Sequence, residues 1–161
     1  MKTLYTISIF TENTPGVLYR IADLFLRRKI NIESLTVSEI NQEDQSRFTV
    51  VVFAEAELVE KIVKQLYRII EVTKVIDSTD EDLVPREIAL LKVSANKLKQ
   101  REEIEHLITI SKNTRIIKVT KTYLVIEITG TEREVHEFHE LMKPFGIKEF
   151  VQSGRIAVFN T

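Results

Sequence analysis

Residues 12–20 (ENTPGVLYR) combine residue types that suit the binding of a small anion. Thr14 is expected to cap a helix, and Pro15 suits the first helical position, where its missing N–H is not needed. The first amides of a helix lack intrahelical acceptors and lie at the positive end of the helix dipole. Gly16 has no side chain, so a ligand's carboxylate could come close to the amides of residues 16–18. The stretch therefore predicts either an anion site or an ordinary helix start that binds nothing.

A carboxylate is the better candidate anion for this turn. A P-loop needs a defined glycine spacing and a lysine, and a dinucleotide-binding turn needs G-x-G-x-x-G. Residues 12–20 have neither pattern. The physics of the turn alone thus supports a carboxylate or no ligand.

Other clusters of polar residues carry weaker signals. His136 and His139 lie three positions apart on a predicted helix, next to Glu140, but they do not form H-E-x-x-H and no third strong ligand is near in sequence. We interpret them as part of a solvated helix face. The acidic stretches 43–45 and 80–82 are interpreted as solvated connections. The sequence has no G-x-S-x-G or other nucleophile signature, so no enzyme activity is predicted.

The elements that position the turn follow from hydrophobic periodicity. Alternation over residues 4–10 predicts a strand, and apolar residues at helical spacing after residues 12–16 predict an amphipathic helix from Val17. The remaining elements of this half are a hairpin with strands at 30–40 and 47–54, a helix at 58–70 and a strand at 71–78. The order β-α-β-β-α-β is that of a ferredoxin-like domain.

The acidic segment before Pro85 is the best candidate for a linker, which divides the chain into domains at 1–78 and 87–161, joined by residues 79–86. The second half predicts strands at 86–93 and within 114–130, helices at 101–110 and 131–142, and strands at 147–152 and 155–160 that pair across Ser153-Gly154. We therefore predict an α+β protein with two ferredoxin-like βαββαβ domains in tandem, the second with an added strand.

Composition limits which binding partners and which cellular compartment are expected for this protein. The 161 residues are 43% hydrophobic and 29% charged, with a net charge of −1, so this is an ordinary globular sequence without the basic stripe that nucleic-acid binding requires. No cysteine is present, which excludes disulfides and thiolate metal sites and is compatible with a reducing compartment. No apolar run is long enough to cross a membrane and the first residues do not form a signal peptide, so we expect a cytoplasmic protein that does not bind membranes.

A longer stretch carries a family resemblance. Residues 12–38 (ENTPGVLYRIADLFLRRKINIESLTVS) closely resemble the N-terminal signature of the regulatory small subunit of acetolactate synthase, also called acetohydroxyacid synthase. The matching positions are Glu12-Asn13, Gly16, Leu18, Arg20, Leu24-Phe25, Arg28 and the run Asn31–Ser38. REIALLKV (86–93) resembles the start of the family's second domain, and VQSGRIAVFN (151–160) resembles its closing hairpin.

The resemblance implies an N-terminal ACT domain that binds an amino acid and a C-terminal domain of ferredoxin-like order. It implies a non-catalytic subunit that binds a large catalytic subunit, raises its activity and makes it sensitive to valine in branched-chain amino-acid synthesis. Thiamine diphosphate, Mg²⁺ and FAD are expected in that large subunit, and no cofactor is expected in this chain. Homodimerisation through the ACT domains is also expected. The exposed side of the first helix, including Tyr19 and Arg20, is one candidate surface for the large subunit.

The resemblance also assigns an effector site shared between two copies of the chain. Its six positions are Asn13, Gly16, Val17, Leu18, Asn31 and Ile32. Asn13 would hydrogen-bond the ligand or fix the turn, and the amides from Gly16 onward would bind its carboxylate. Asn31 would come from the second copy and meet the polar end of the ligand. Val17, Leu18 and Ile32 could line the site or belong to the core, and valine, leucine and isoleucine cannot be separated, because one methylene is worth only about 1–3 kcal/mol.

One position departs from the family pattern. Members often have glycine two positions before the Asn-Ile dipeptide, where the first helix must end, whereas this chain has Lys29. Glycine relieves the strain of a left-handed helix cap. Either the turn differs here, or Lys29 adopts the strained conformation.

Two other functions remain open at this stage. ACT modules serve many hosts, so the chain could be a free-standing amino-acid sensor that acts on another partner. The matches at 31–38 and 86–93 argue against this alternative. An enzyme is disfavoured, because no catalytic constellation is visible.

Overall fold

The computed structural model of the chain describes residues 1–40 and 44–160. In chain order the elements are β1 (Lys2–Glu12), α1 (Val17–Arg27), β2 (Ser34–Glu39), β3 (Gln45–Glu55), α2 (Ala56–Leu66), β4 (Val72–Ser78), β5 (Leu83–Ser94), α3 (Leu98–Ile110), β6 (Thr114–Val119), β7 (Tyr123–Gly130), α4 (Glu132–Met142), β8 (Ile147–Gln152) and β9 (Ile156–Phe159). Single 3₁₀ turns lie at Asp80–Asp82 and Lys143–Phe145. Residue 43 of the acidic stretch 43–45 lies outside the described residues.

The chain divides into two compact units, each an antiparallel sheet with helices, as the periodicity predicts. The first unit comprises Met1–Pro85 and Arg155–Thr161, and the second comprises Arg86–Gly154. The first sheet has the strand order β2-β3-β1-β4 and the second has β6-β7-β5-β8, with β9 also paired to β5. The α+β class with two βαββαβ units is confirmed.

Alternation along β1 gives the first sheet one apolar face, on which the helices pack. Ile7 and Ile9 are fully buried and lie opposite Val50 and Phe48 of β3 in the register. They share one core cluster with Val17, Ile21 and Phe25 of α1 and Val59, Ile62 and Leu66 of α2. Each such side chain contributes about 1.5–3 kcal/mol on burial, which fixes α1 and the turn before it against the sheet.

The opposite face of the first sheet carries hydroxyl groups, because residues at alternate positions of a strand point to opposite faces. Thr6 and Ser8 are buried there. This face holds residues 155–160, which we call the strap. Arg155 donates from Nη1 to Thr6 Oγ1 (3.2 Å) and to Asp80 Oδ1 (2.6 Å).

The backbone of the strap is also held by side chains of the first unit. Thr36 Oγ1 donates to the Arg155 carbonyl (3.0 Å), and Arg47 Nη2 donates to the Ala157 carbonyl (2.8 Å). The Arg47 guanidinium lies 5.5 Å from the ring centroids of both Phe10 and Phe159. The strap is therefore a component of the first unit, although it follows the second unit in the chain.

The expectation about how the last two strands pair is wrong. The strands at 147–152 and 155–160 do not pair with each other across Ser153-Gly154, because β8 and β9 each pair with β5. Ser153 N donates to Ile88 O (2.8 Å) and Asn160 N donates to Asp82 O (2.9 Å), so the chain continues along β5 instead of turning back.

The boundary between the units, after Pro85, falls within the segment 79–86 that the sequence suggests as a linker. Leu83 already begins β5, so part of that segment is regular strand. The residues from Arg155 onward group with the first unit, whereas the expected second domain, 87–161, includes them. In the described part of the chain, no helix is long and apolar enough to cross a membrane.

Candidate functional site

The turn before α1 is built by Gly16. Gly16 is the N-cap residue with φ 90° and ψ −9°, and the first backbone bond of the helix runs from Arg20 N to Gly16 O (3.2 Å). The expectation that Thr14 caps the helix and Pro15 is its first residue is therefore wrong: Pro15 and Gly16 form a turn and Val17 starts the helix. Glycine adopts a positive φ at no steric cost, which places the reversal at Gly16.

The first turn of α1 offers backbone donors. The amides of Val17, Leu18 and Tyr19 precede the first intrahelical bond, and no side chain of the described residues caps them. By contrast, α4 has a full capping box, in which Thr131 accepts from the Glu134 amide and Glu134 accepts from the Thr131 amide. Helices α2 and α3 also lack a side-chain cap, so the left-handed glycine, not the missing cap, distinguishes α1. Its geometry suits a carboxylate.

Asn13 lies beside these amides with a free side chain. Its backbone amide donates to Asp44 O (2.6 Å), which fixes the residue before the turn. The Asn13 side chain is exposed and makes no hydrogen bond to any residue within 1–40 or 44–160. Its carboxamide is therefore available to a ligand.

The three apolar candidate residues differ in how much of the side chain is exposed. Val17 is 2% exposed and belongs to the core, so only its amide can face a ligand. Leu18 is 48% exposed and can cover an apolar ligand side chain. Ile32 is half-buried and packs against the core with part of its surface left open.

Arg20 and Glu71 form an ion pair beside the turn. Arg20 Nη1 donates to Glu71 Oε1, and a Cβ placed at Gly16 would lie 3.9 Å from Arg20 Nη2. The hydrogen bond from Arg20, together with the backbone amide of Glu71, holds the pKa of the Glu71 carboxyl below its ordinary value. No local sequence pattern indicates that Glu71 lies next to the turn, because Glu71 is 51 positions from Arg20 in the chain.

The other end of α1 resolves the question about Lys29. Lys29 has φ 54°, and the turn is a Schellman motif in which Ile30 N donates to Phe25 O (3.1 Å) and Lys29 N donates to Leu26 O (2.9 Å). The turn thus keeps the left-handed geometry, and Lys29 itself adopts the strained conformation. The path from the helix to Asn31 is the one that glycine would give.

Asn31 and Gly16 lie at opposite ends of α1. An 11-residue helix is about 16 Å long, so the two residues of one chain cannot contact the same small ligand. Asn31 Nδ2 donates to Glu33 Oε1 (3.3 Å) and leads into β2, which is the edge of the first sheet and pairs with β3. The candidate residues of one chain therefore form two separate groups, one at each end of the same helix.

The histidines at 136 and 139 show no arrangement for metal binding. The His139 ring packs against Phe150, with 4.6 Å between the centroids, and its Nδ1 lies 3.4 Å from Glu140 Oε1. Over residues 1–40 and 44–160, no three or more of His, Asp and Glu come together in a way that could hold a metal ion. Asp80 of the acidic stretch 80–82 pairs with Arg155.

Comparison with protein families matches both units of the chain. Residues 7–74 match the AHAS small subunit-like ACT domain, and residues 86–160 match the small subunit of acetolactate synthase. The first match contains the turn, α1 and β2, so all six candidate residues lie in the ACT domain.

Similar proteins span nearly the whole chain. The probable acetolactate synthase small subunit of Archaeoglobus fulgidus is 43% identical over 154 residues, which are 96% of this chain and 95% of the relative. The acetolactate synthase small subunit of Mycobacterium bovis is 40% identical over 96% of this chain and 90% of its own length. The crystal structure of the small subunit from Thermotoga maritima superposes with a TM-score of 0.89 at 34% identity and covers 98% of each chain. Sequence and fold agree along nearly the whole chain, which therefore belongs to the family of acetolactate synthase small subunits.

Proposed function

We propose that this protein is the regulatory small subunit of acetolactate synthase. It binds the large catalytic subunit, raises its activity and confers feedback inhibition by valine or another branched-chain amino acid, in the cytoplasm. The catalytic chemistry, with thiamine diphosphate, Mg²⁺ and FAD, belongs to the large subunit. This chain contributes no catalytic group and no cofactor. Family membership supports the choice of partner.

The observation that carries the effector part of the proposal is the division of the site along α1. The uncapped amides with Asn13 lie at one end and Asn31 lies at the other, next to an edge strand. An edge strand presents unpaired backbone groups that another strand can join. A homodimer formed through the β2 edges brings the turn of one copy towards Asn31 of the second copy, which completes the site.

The ligand has the chemistry of an amino acid. Its carboxylate binds the amides from Gly16 to Leu18, its polar end meets the Asn13 and Asn31 carboxamides, and its aliphatic side chain contacts Leu18 and Ile32. By linkage, an effector that weakens the active complex also binds that complex less tightly than it binds the free regulatory dimer.

Two measurements test the proposal directly. The activity of the large subunit, titrated with this chain, should rise to a plateau, and calorimetric titration of the chain with valine should show one ligand for each half-site pair. If the chain fails to stimulate the large subunit at every ratio, the activator role is wrong. If no branched-chain amino acid binds, the effector role is wrong.

A substitution at Gly16 separates the two roles. Gly16→Asp places a carboxylate where the ligand's carboxylate is proposed to bind, and it should abolish the valine response while stimulation of the large subunit persists. Gly16→Asn is the matched control, since Asn and Asp both tolerate a positive φ and have the same size. We expect the Asn variant to keep a valine response, weakened about tenfold or less. An equal loss in both variants would show that Gly16 acts only through backbone conformation.

A further inference from the structure

A groove with a concentration of arginine lies on the outer side of the first unit. It runs between α1 and the end of α2, has a volume of about 690 Å³, and is lined by Tyr19, Arg20, Asp23, Leu24, Arg27, Arg28, Gln65, Arg68 and Ile69. We call it the basic groove. All of these residues belong to the first unit, so the groove is complete within the ACT domain.

The basic groove carries an excess of positive charge. Four of its lining residues are arginines and one is an aspartate, in a chain whose net charge is −1. Arg27 Nη2 pairs with Asp23 Oδ2 (2.8 Å), and Arg20 pairs with Glu71. Arg28 Nε donates to the neutral Gln65 Oε1 (3.1 Å), and no carboxylate among the described residues forms an ion pair with it.

Arg68 is the second uncompensated charge of the groove. Its side chain is exposed, and within residues 1–40 and 44–160 no acidic group pairs with it. Arg28 and Arg68 line the same groove, just beyond the ends of α1 and α2, and like charges in one groove repel each other. A partner that supplies carboxylates would relieve this repulsion and could form paired hydrogen bonds with the guanidinium groups.

The uncharged residues of the groove are of types that stabilise protein interfaces. Tyr19 is 73% exposed and stands at the groove without covering the core. Leu24 and Ile69 are half-buried and give the groove an apolar floor. Tyr and Arg are enriched among the residues that dominate binding energy in interfaces. This combination fits a segment of protein better than a free inorganic ion, which would use only the charges.

The basic groove is physically connected to the effector turn. Arg20 lines the groove, and its guanidinium also lies beside Gly16 and holds Glu71. A partner that engages Arg20 in the groove therefore acts on the same group that flanks the first amides of α1. This shared residue gives a route by which docking and effector binding can influence each other.

We propose that the basic groove is the docking surface for an acidic segment of the large catalytic subunit, with two or more carboxylates and an apolar side chain that contacts Leu24 and Ile69. This inference rests on the proposed function, because it takes the large subunit as the partner. It adds the surface and the chemistry of recognition, which family membership does not give. Binding should weaken as salt rises, since the attraction between exposed charges is screened.

The test compares two double variants of the full chain that change charge equally. Arg27→Glu/Arg68→Glu reverses two exposed charges of the groove. The control, Lys61→Glu/Lys64→Glu, reverses two exposed charges of α2. These lysines do not line the groove and are paired with Glu57 and Glu60. Affinity for the large subunit is measured by interferometry at about 0.05 M and about 0.3 M NaCl.

The groove variant should bind the large subunit about tenfold or more weakly at the lower salt, with little remaining salt dependence, and the control should stay within about threefold of the unsubstituted chain. Both variants should bind valine as the unsubstituted chain does, which shows that the first unit is folded. Equal affinities of the groove variant and the control would overturn the docking surface. Failure of the unsubstituted chain to bind the large subunit would instead overturn the proposed function.

Two further measurements exclude other occupants. If inorganic phosphate binds the unsubstituted chain and not the groove variant, while both bind the large subunit equally, the groove is a site for a small anion. If sedimentation shows that the groove variant loses self-association and retains affinity for the large subunit, the groove is an interface between copies. Either result would overturn docking of the large subunit there.

Discussion

At the scale of single residues, Lys29 adopts a left-handed backbone conformation that is strained for a residue with a side chain. Three non-glycine residues in the described ranges have a positive φ: Lys29 (54°), Asp44 (59°) and Asn113 (61°). Asp and Asn tolerate the left-handed region because their short polar side chains can hydrogen-bond locally, whereas lysine has no such compensation. The Schellman bonds from Lys29 and Ile30 hold the turn in place despite this cost.

We therefore predict that Lys29→Gly stabilises the protein. Relief of the left-handed strain outweighs the greater flexibility of glycine in the unfolded chain, so the free energy of unfolding should rise by about 0.5–1 kcal/mol in urea titrations. Leu26→Gly is the control, because Leu26 is an exposed residue of the same helix with right-handed geometry, and it should lose about 1 kcal/mol. A loss of stability in Lys29→Gly would show that the lysine side chain stabilises the turn.

The same scale shows which parts of the candidate site could be predicted. The family resemblance identifies Asn13, Gly16 and Asn31 as candidates. The structure places the first two at the turn before α1 and the third after the turn that ends it. The expected roles of Thr14 as the N-cap and Pro15 as the first helical residue are wrong, because Gly16 takes a positive φ and the helix starts at Val17. The partnership of Arg20 with Glu71 depends on how β4 follows α2 in space, so no sequence spacing predicts it.

At the scale of elements, the N-terminus of α4 contrasts with that of α1. Thr131 N donates to Glu134 Oε2 (2.7 Å), and Glu134 N donates to Thr131 Oγ1 (3.3 Å). The donation from the Thr131 backbone amide, followed by that from Thr131 Oγ1 to Glu134 Oε2 (3.0 Å), holds the pKa of the Glu134 carboxyl below its ordinary value. Gly130 allows this approach, since a Cβ there would lie 2.8 Å from Glu134 Oε2. The capping box thus satisfies the Thr131 and Glu134 amides within the chain, whereas the N-cap residue of α1 provides no side-chain acceptor.

The capping box makes a prediction about stability and pH. Thr131→Ala should lower the free energy of unfolding by about 1 kcal/mol at pH 7, because the Glu134 amide loses its acceptor. Since folding depresses the pKa of Glu134, this carboxylate stabilises the folded state above about pH 4.3, and the stabilisation is lost as the pH falls through the lower, folded-state pKa. The difference between the unsubstituted chain and Thr131→Ala should therefore shrink in acid, as measured by urea titration across that range.

Thr109→Ala provides the matched control for this measurement. Thr109 Oγ1 donates to the Glu105 carbonyl within α3, a bond that contributes little to an exposed helix interior. Its removal should cost nothing or slightly stabilise the protein, since alanine is the better helix former. Equal losses in the two variants would contradict the role of the cap.

At the scale of the whole molecule, the strap determines which residues form the first unit. The order of strands and helices and the two-unit division could be predicted, because alternation along β1 and the apolar stripe of α1 are local patterns. The pairing of β9 with β5 could not be predicted, because the pattern of residues 151–160 fits a hairpin around Ser153-Gly154 equally well. Arg155 decides between the two: its buried guanidinium is held by Thr6 and Asp80, which are distant in sequence.

We predict that Arg155→Ala destabilises the first unit. The substitution deletes the buried guanidinium together with the hydrogen bonds it donates, and Thr6 Oγ1 loses this donor. The free energy of unfolding should therefore fall by about 2–3 kcal/mol in urea titrations. Arg133→Ala is the control, because Arg133 is exposed on α4 and pairs with Glu137 at 3.6 Å, and it should change stability by about 0.5 kcal/mol or less. A similar small effect of both substitutions would show that the strap does not stabilise the first sheet.

The path of the strap also sets the order in which the protein is finished during synthesis. The ribosome releases Met1–Pro85 first, but the hydroxyl-lined face of that sheet lacks Arg155, Ala157 and Phe159 until residues 86–154 have emerged. Domains commonly fold in the order in which they are made. Here the unit that is begun first is completed last, so a nascent chain that stops before Arg155 has both sheets but an unfinished ACT unit.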